Sequence, residues 1–100
     1  MNIEFERLDP EVLLDVAADM RGELDRIQEQ MAELTRLNKR ALALKAIYGS
    51  DPLTRERFNT LHDHVDQFAG KMAELREDER LLTRWLDRCG ELLRTFRQAA

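Results

Sequence analysis

The fold is decided by residues 58–96, FNTLHDHVDQFAGKMAELREDERLLTRWLDRCGELLRTF, in which apolar side chains recur at alternating spacings of three and four. This spacing gathers apolar side chains on one stripe of an α-helix and is the heptad pattern of coiled coils. The stripe consists of Phe58, Leu61, Val65, Phe68, Met72, Leu75, Glu79, Leu82, Leu86, Cys89, Leu93 and Phe96. Eleven of these twelve positions are apolar, so the stretch predicts one long amphipathic helix.

The preceding half of the chain has the same pattern, with one interruption. Its stripe begins with Leu13, Ala17, Met20, Leu24, Ile27, Met31 and Leu34. The next heptad positions hold Asn38 and Lys45, while apolar residues continue along a shifted line through Leu37, Ala41, Leu44 and Tyr48. This predicts a local break in the 3.5-residue repeat. Asn38 and Glu79 are interpreted as polar seam residues that fix register at a cost in stability.

Two Asp-Pro pairs set the predicted helix boundaries. Asp9-Pro10-Glu11 offers a capping side chain, a proline suited to the first turn and an acid at the positive end of the helix dipole. Gly49-Ser50-Asp51-Pro52 offers a helix-ending glycine and a second start. The sequence therefore predicts a single all-α domain over 1–100. Its parts are an N-terminal segment (1–9), helix 1 (10–48), a turn (49–51) and helix 2 (52–98).

The short turn predicts an antiparallel helical hairpin in which paired residue numbers sum to about 100. Residues 1–20 hold six acids and one arginine, net −5, and residues 80–100 hold five arginines and two acids, net +3, so this pairing sets opposite charges side by side. The same register places Glu79 level with Arg21 and His62 near Asn38. It also folds the N-terminal residues Ile3, Phe5 and Leu8 against Leu93 and Phe96.

Apolar residues beside the stripes predict further association at the open end of the hairpin. The expected partner or oligomer interface consists of Val12, Val16, Leu81, Trp85 and Leu92. A stripe this broad suits a bundle of more than two helices. The favoured form is a homodimer that makes a four-helix bundle. The alternative is a monomer that bends near Gly22 and residues 76–79 into a three- or four-helix bundle.

Composition excludes several protein classes. One hundred residues, 43% hydrophobic and 36% charged, are too few for a large α/β enzyme and too apolar for a disordered chain. The single cysteine, Cys89, makes no intramolecular disulfide. With no apolar stretch of membrane-spanning length, a cytoplasmic location is expected. Thirteen of the sixteen basic residues are arginine, which suggests a bacterial or phage source.

No catalytic, metal or cofactor site is predicted. His62 and His64 lie two apart, so they point to opposite sides of a helix and cannot share a metal. The acids Glu74, Glu77 and Asp78 have the spacing of helical di-metal sites but lie outside the stripe. The expected function is that of a non-enzymatic interaction module: an adaptor, chaperone or inhibitor that docks helix faces onto another protein.

Two charged surfaces give alternative functions. A basic tip, expected to contact nucleic acid or phosphate, consists of Arg36, Lys39, Arg40, Lys45, Arg55 and Arg57. An acidic flank, expected to mimic nucleic acid in a phage-encoded inhibitor of a host complex, consists of Glu4, Glu6, Glu11, Asp15, Asp19 and Glu23. The whole chain has a net charge of −4, which disfavours general nucleic-acid binding.

Overall fold

The protein is an antiparallel hairpin of two long helices. A computed structural model describes residues 7–49 and 55–99, with side chains for 7–49 and 59–98. Helix α1 spans Pro10–Tyr48 and helix α2 spans Arg55–Ala99, and the two pack along their length. The described part of the chain contains no strand. The predicted all-α hairpin is confirmed.

Helix α1 starts at the predicted cap. The Glu11 backbone N–H donates to Asp9 Oδ1 at 2.9 Å, the Leu13 N–H donates to the Asp9 carbonyl at 3.0 Å, and Pro10 occupies the first turn. At the other end, the Gly49 N–H donates to the Lys45 carbonyl at 2.8 Å. Gly49 keeps right-handed helical angles, with φ −64° and ψ −20°, so the helix ends there without the left-handed turn that glycine favours. The start of α2 predicted at Pro52 falls outside the described residues.

The seam follows an unbroken heptad in both helices. Every described position of the predicted α2 stripe, from Leu61 to Phe96, is buried or half-buried. In α1 the row continues through Asn38, Ala41, Lys45 and Tyr48, all at least partly buried, whereas Leu37 is 46% exposed. The predicted break in the repeat is therefore wrong. The aliphatic stem of Lys45 lets a charged residue hold a seam position while its ammonium group reaches the edge.

The register differs from the predicted one by one heptad. Gln28 bonds Glu79 and Lys45 lies against His62, and each of these pairs has residue numbers that sum to 107 (28 and 79; 45 and 62). A shift of one heptad returns every position to an equivalent one, so the apolar pattern permits both registers. The predicted pairings of Glu79 with Arg21 and His62 with Asn38 are thus wrong. Of the predicted fold-back, Ile3 and Phe5 lie outside the described residues, and Leu8 is half-buried.

Both helices continue through the positions where a bend is predicted. Gly22 lies inside α1 and residues 76–79 lie inside α2. The alternative of a bent, self-folded bundle is wrong, because the helical hydrogen bonding is uninterrupted at both places. The molecule extends 72 × 23 × 15 Å, with a radius of gyration of 21.6 Å against about 13 Å for a compact chain of 100 residues.

Two helices alone make a thin core. The buried apolar residues are Ala17, Ile27, Ala41, Met72, Leu82 and Cys89. Even these retain 5–8% exposure, and no described side chain falls below 2%. A hairpin with one narrow seam is marginally stable by itself, since helix stability in proteins comes mainly from packing. Any further packing would therefore have to use the surface beside the seam.

Candidate docking surface

One side of the hairpin carries most of the exposed large apolar residues that the structure describes. In an antiparallel pair, positions flanking the seam fall on two opposite sides, and equivalent positions of both helices share a side. We call one of these sides the lateral face. It consists of Val12, Val16, Leu37, Leu44 and Ile47 on α1 with Leu81, Trp85 and Leu92 on α2. The described exposed apolar residues outside it are Leu14 and Leu42, on the opposite side.

The open end of the lateral face contains all five predicted interface residues. Val12, Val16 and Trp85 are 54%, 38% and 46% exposed, while Leu81 and Leu92 are half-buried. A groove beside Trp85 is lined by Glu23, Ile27, Asp78, Leu81, Leu82 and Trp85. The indole therefore lies against the edge of the seam with nearly half of its surface in solvent. The structure brings the predicted residues onto one continuous side of the hairpin.

A second groove, not predicted from the sequence, lies towards the tip on the same face. This tip groove has a volume of about 380 Å³. Its lining consists of Leu34, Leu37, Asn38, Arg40, Ala41, Leu44, Leu61, His64, Phe68 and Lys71. Asn38 Oδ1 is buried there without a hydrogen-bond partner among the described residues. The groove thus combines an apolar floor with cationic groups, Arg40 and Lys71, on its walls.

A second heptad row on α1 connects the two parts of the lateral face. We call it the outer row, and it consists of Val12, Val16, Asp19, Glu23, Arg26, Gln30, Glu33, Leu37, Arg40, Leu44 and Ile47. Its residues follow spacings of four and three beside the seam. The ends are apolar and the middle is polar. The spacing of the outer row is present in the sequence. The row was not predicted, because Leu37 and Leu44 also fit a continuation of the seam.

The opposite side of the hairpin is closed by polar contacts between the helices. Gln28 Nε2 donates to Glu79 Oε2 at 3.3 Å, and Lys45 Nζ lies 2.7 Å from His62 Nδ1. His62 Nε2 in turn lies 3.2 Å from Asp66 Oδ2. The imidazole can therefore accept from Lys45 and donate to Asp66. These contacts satisfy polar groups within the hairpin, whereas most of the exposed large apolar residues that the structure describes lie on the lateral face.

The described residues of the predicted basic tip fall into two groups. Arg36 donates through Nε to Glu33 at 3.0 Å, and Lys45 reaches across the seam to His62. Lys39 is exposed on the outside of α1, while Arg40 lines the tip groove. The side chains of Arg55 and Arg57 lie outside the described residues. Arg36, Lys39 and Arg40 therefore share one outward side of α1 at spacings of three and four, while Lys45 lies on the seam side.

The described part of the acidic flank is exposed along one row of α1. Glu11, Asp15, Asp19 and Glu23 follow one another at intervals of four, and Glu23 pairs with Arg26 at 3.4 Å. Glu4 and Glu6 lie outside the described residues. A row at intervals of four drifts around the helix, so these acids range from the outside of α1 to the lateral face.

Ion pairs within each helix join exposed side chains on its outer surface. The hydrogen bond from Arg36 lowers the pKa of Glu33, and the hydrogen bond from Arg80 lowers the pKa of Glu77 in the same way. Arg88 Nη1 likewise lies 2.9 Å from Glu91. All of these groups are exposed, so the pairs stabilise the helices only slightly.

Within 7–49 and 55–99, no cluster of three or more His, Cys, Asp or Glu has a geometry that could hold a metal ion. Neither described helix includes an apolar stretch long enough to cross a membrane. No family model, curated protein or solved structure matches this chain. The lateral face is therefore the candidate site, on the evidence of its geometry alone.

Proposed function

We propose that this protein is a non-catalytic interaction module that acts by packing its lateral face onto amphipathic helices of a protein partner. The observation that carries the proposal is the exposure of Val12, Val16 and Trp85 on the side of the hairpin that holds most of the exposed large apolar residues, while the polar contacts between the helices lie on the other side. Exposed apolar surface of this extent marks interaction sites in folded proteins. Docking would occlude or scaffold the partner.

The chemistry of the face defines the kind of partner. Two parallel ridges of side chains with a groove between them accept a helix whose apolar residues recur at intervals of three and four. Trp85 supplies a large, rigid anchor at the open end, a residue type enriched at interface hot spots. The acids Glu23 and Asp78 line the groove beside this anchor and favour a helix with basic flanking residues.

Contact with nucleic acid is less well supported. Three described basic residues of the tip share one outward side of α1, but Arg36 among them is engaged by Glu33, which leaves two described cations on that side. Lys45 is engaged by His62. A phosphate backbone requires several cations along one surface. Mimicry of nucleic acid by the acidic flank is less well supported for another reason, because its described row drifts around α1. Protein docking uses a surface that the fold brings together.

The test is retention of helical partner proteins from a cell extract by the immobilised protein. Val16→Glu places a charge on the lateral face, and Leu14→Glu places the same charge on the opposite side, two residues away. We expect Val16→Glu to abolish retention and Leu14→Glu to preserve it, with the helical circular dichroism of both unchanged. Equal retention by the two variants would contradict the proposal, and retention of nucleic acid alone would favour the basic tip.

A further inference from the structure

The hairpin exposes more surface than a compact monomer of the same mass. Its accessible area is 8074 Å², whereas a compact monomer of 11.8 kDa exposes roughly 5,900 Å². The excess of about 2,000 Å² exceeds the ~800 Å² that each partner buries in a typical specific complex. The broad side of the hairpin measures 72 × 23 Å. A second hairpin of the same size is an occupant that would cover this area along its whole length.

The outer row is complementary to its own reverse. Aligned antiparallel about Gln30, the apolar residues at the two ends of the row meet each other and two pairs of charged residues meet opposite charges, while Glu23 meets Leu37, a pair that opposes the association. The favourable pairs are Val12 with Ile47, Val16 with Leu44, Asp19 with Arg40, and Arg26 with Glu33. A C2 interface requires this self-complementarity, because each residue and its counterpart exchange roles across the axis.

We propose that a second copy of this chain occupies the lateral face, reversed end for end about Gln30, to form an antiparallel four-helix bundle. In it, α1 packs on α1 of the second copy and α2 packs on α2. The inference rests on the proposed function, since it names the occupant of the same face. The open end of each hairpin lies over the tip groove of the other.

Helix α2 contributes a second set of contacts in this alignment. Its lateral positions centre on Asp78, which places Lys71 of one copy over Trp85 of the other. Stacking of an ammonium group on an indole is favourable when both are removed from water. Asp78 meets its own copy near the axis, and that repulsion opposes the association.

An alignment in which both hairpins point the same way brings like charges together at the tips. If both hairpins pointed the same way, α1 of one copy would pack on α2 of the other at the same level. Glu33 would then lie level with Glu74, and the two tips, each with net charge +4 from six basic and two acidic residues over 35–57, would lie together, although Asp19 would also lie level with Arg88. Like charges held together weaken the complex, whereas the reversed alignment separates the tips by the length of the molecule.

Single-cysteine cross-linking tests the alignment. Gln30→Cys places a thiol at the proposed axis, and Gln28→Cys places one on the opposite side of the same helix turn. The full-length chain of each variant is treated with a short bis-maleimide, and the wild type, whose Cys89 is buried, gives the background. We expect most of Gln30→Cys to become a covalent dimer, while Gln28→Cys remains at the wild-type background.

Light scattering over a concentration series accompanies the cross-linking. We expect twice the 11.8 kDa chain mass, and tighter association for Asp78→Asn than for the wild type. A monomer at every concentration would overturn the inference, as would a dimer in which Gln30→Cys gives only background linkage or Asp78→Asn fails to tighten. A monomeric wild type that still retains helical partners in a Val16-dependent manner would leave the proposed function standing; loss of both results would remove both.

Discussion

Helix α1 carries two heptad rows, the seam and the outer row, which differ in burial. Ala17, Ile27 and Ala41 of the seam are buried by α2, whereas Val12, Leu37 and Ile47 of the outer row are 54%, 46% and 64% exposed. Spacing alone does not separate them, since both follow intervals of three and four. The difference is the neighbour: α2 covers the seam, whereas Val12 and Leu37 of the outer row remain about half exposed. A partly exposed heptad row is the kind of surface against which another helix can pack.

The largest expected effect breaks the seam. Leu82 is 7% exposed and its neighbour Leu81 is half-buried on the lateral face. We expect Leu82→Ala to lower the free energy of unfolding by about 2–4 kcal/mol, because it removes buried methylene groups and leaves a cavity. Leu81→Ala should cost less than half as much in dilute protein. Urea unfolding followed by circular dichroism measures both, and equal losses would show that the seam and the lateral face are equivalent.

A smaller effect of opposite sign comes from Asn38, the seam residue in the tip groove. Its Oδ1 is buried without a hydrogen-bond partner among the described residues, which costs stability. Asn38→Leu replaces this polar group with an apolar one and should stabilise the hairpin by about 1–2 kcal/mol. Thermal unfolding would show a raised midpoint. A lowered midpoint would mean that the amide has a partner in solution.

The smallest effect concerns the charge pairs outside the seam. The pKa of Glu33 is lowered by Arg36, so this pair stabilises the folded state at pH values above the ordinary glutamate pKa, and the contribution is lost as the pH falls through the lowered value. Glu33→Gln should therefore lower the unfolding midpoint slightly at pH 7 and not at pH 2. Glu77→Gln, which removes the equivalent pair with Arg80, should behave alike. A difference that persists at low pH would contradict this origin.

The helices and caps could be read from the sequence because their determinants are local. Asp9 caps its own helix, and the stripe from Leu61 to Phe96 follows from spacing alone. Register could not be derived in this way, because sliding one helix by a heptad keeps apolar residues facing apolar residues. Cross-helix contacts such as Gln28 with Glu79 distinguish the two registers, and they become apparent only when both helices are placed.

The candidate site was only partly predictable for a similar reason. Val12, Val16 and Trp85 are apolar residues beside a clear stripe, so their exposure could be expected. Leu37 and Leu44 follow a stretch in which the seam itself turns polar, at Asn38 and Lys45, and they resemble a continuation of it. Burial distinguishes the seam from the outer row at these positions. The long stem of Lys45 packs in the seam, and Leu37 lies exposed on the lateral face.

The matched pair Val12→Glu and Leu14→Glu tests the central claim, that one side of the hairpin is a docking surface, most directly. The two residues are 54% and 55% exposed and lie two positions apart on opposite sides of α1. Sedimentation equilibrium of each variant beside the wild type measures self-association. Burying a charge in an apolar contact predicts association weakened about tenfold or more by Val12→Glu and unchanged by Leu14→Glu. Equal association constants for the two variants would contradict the account.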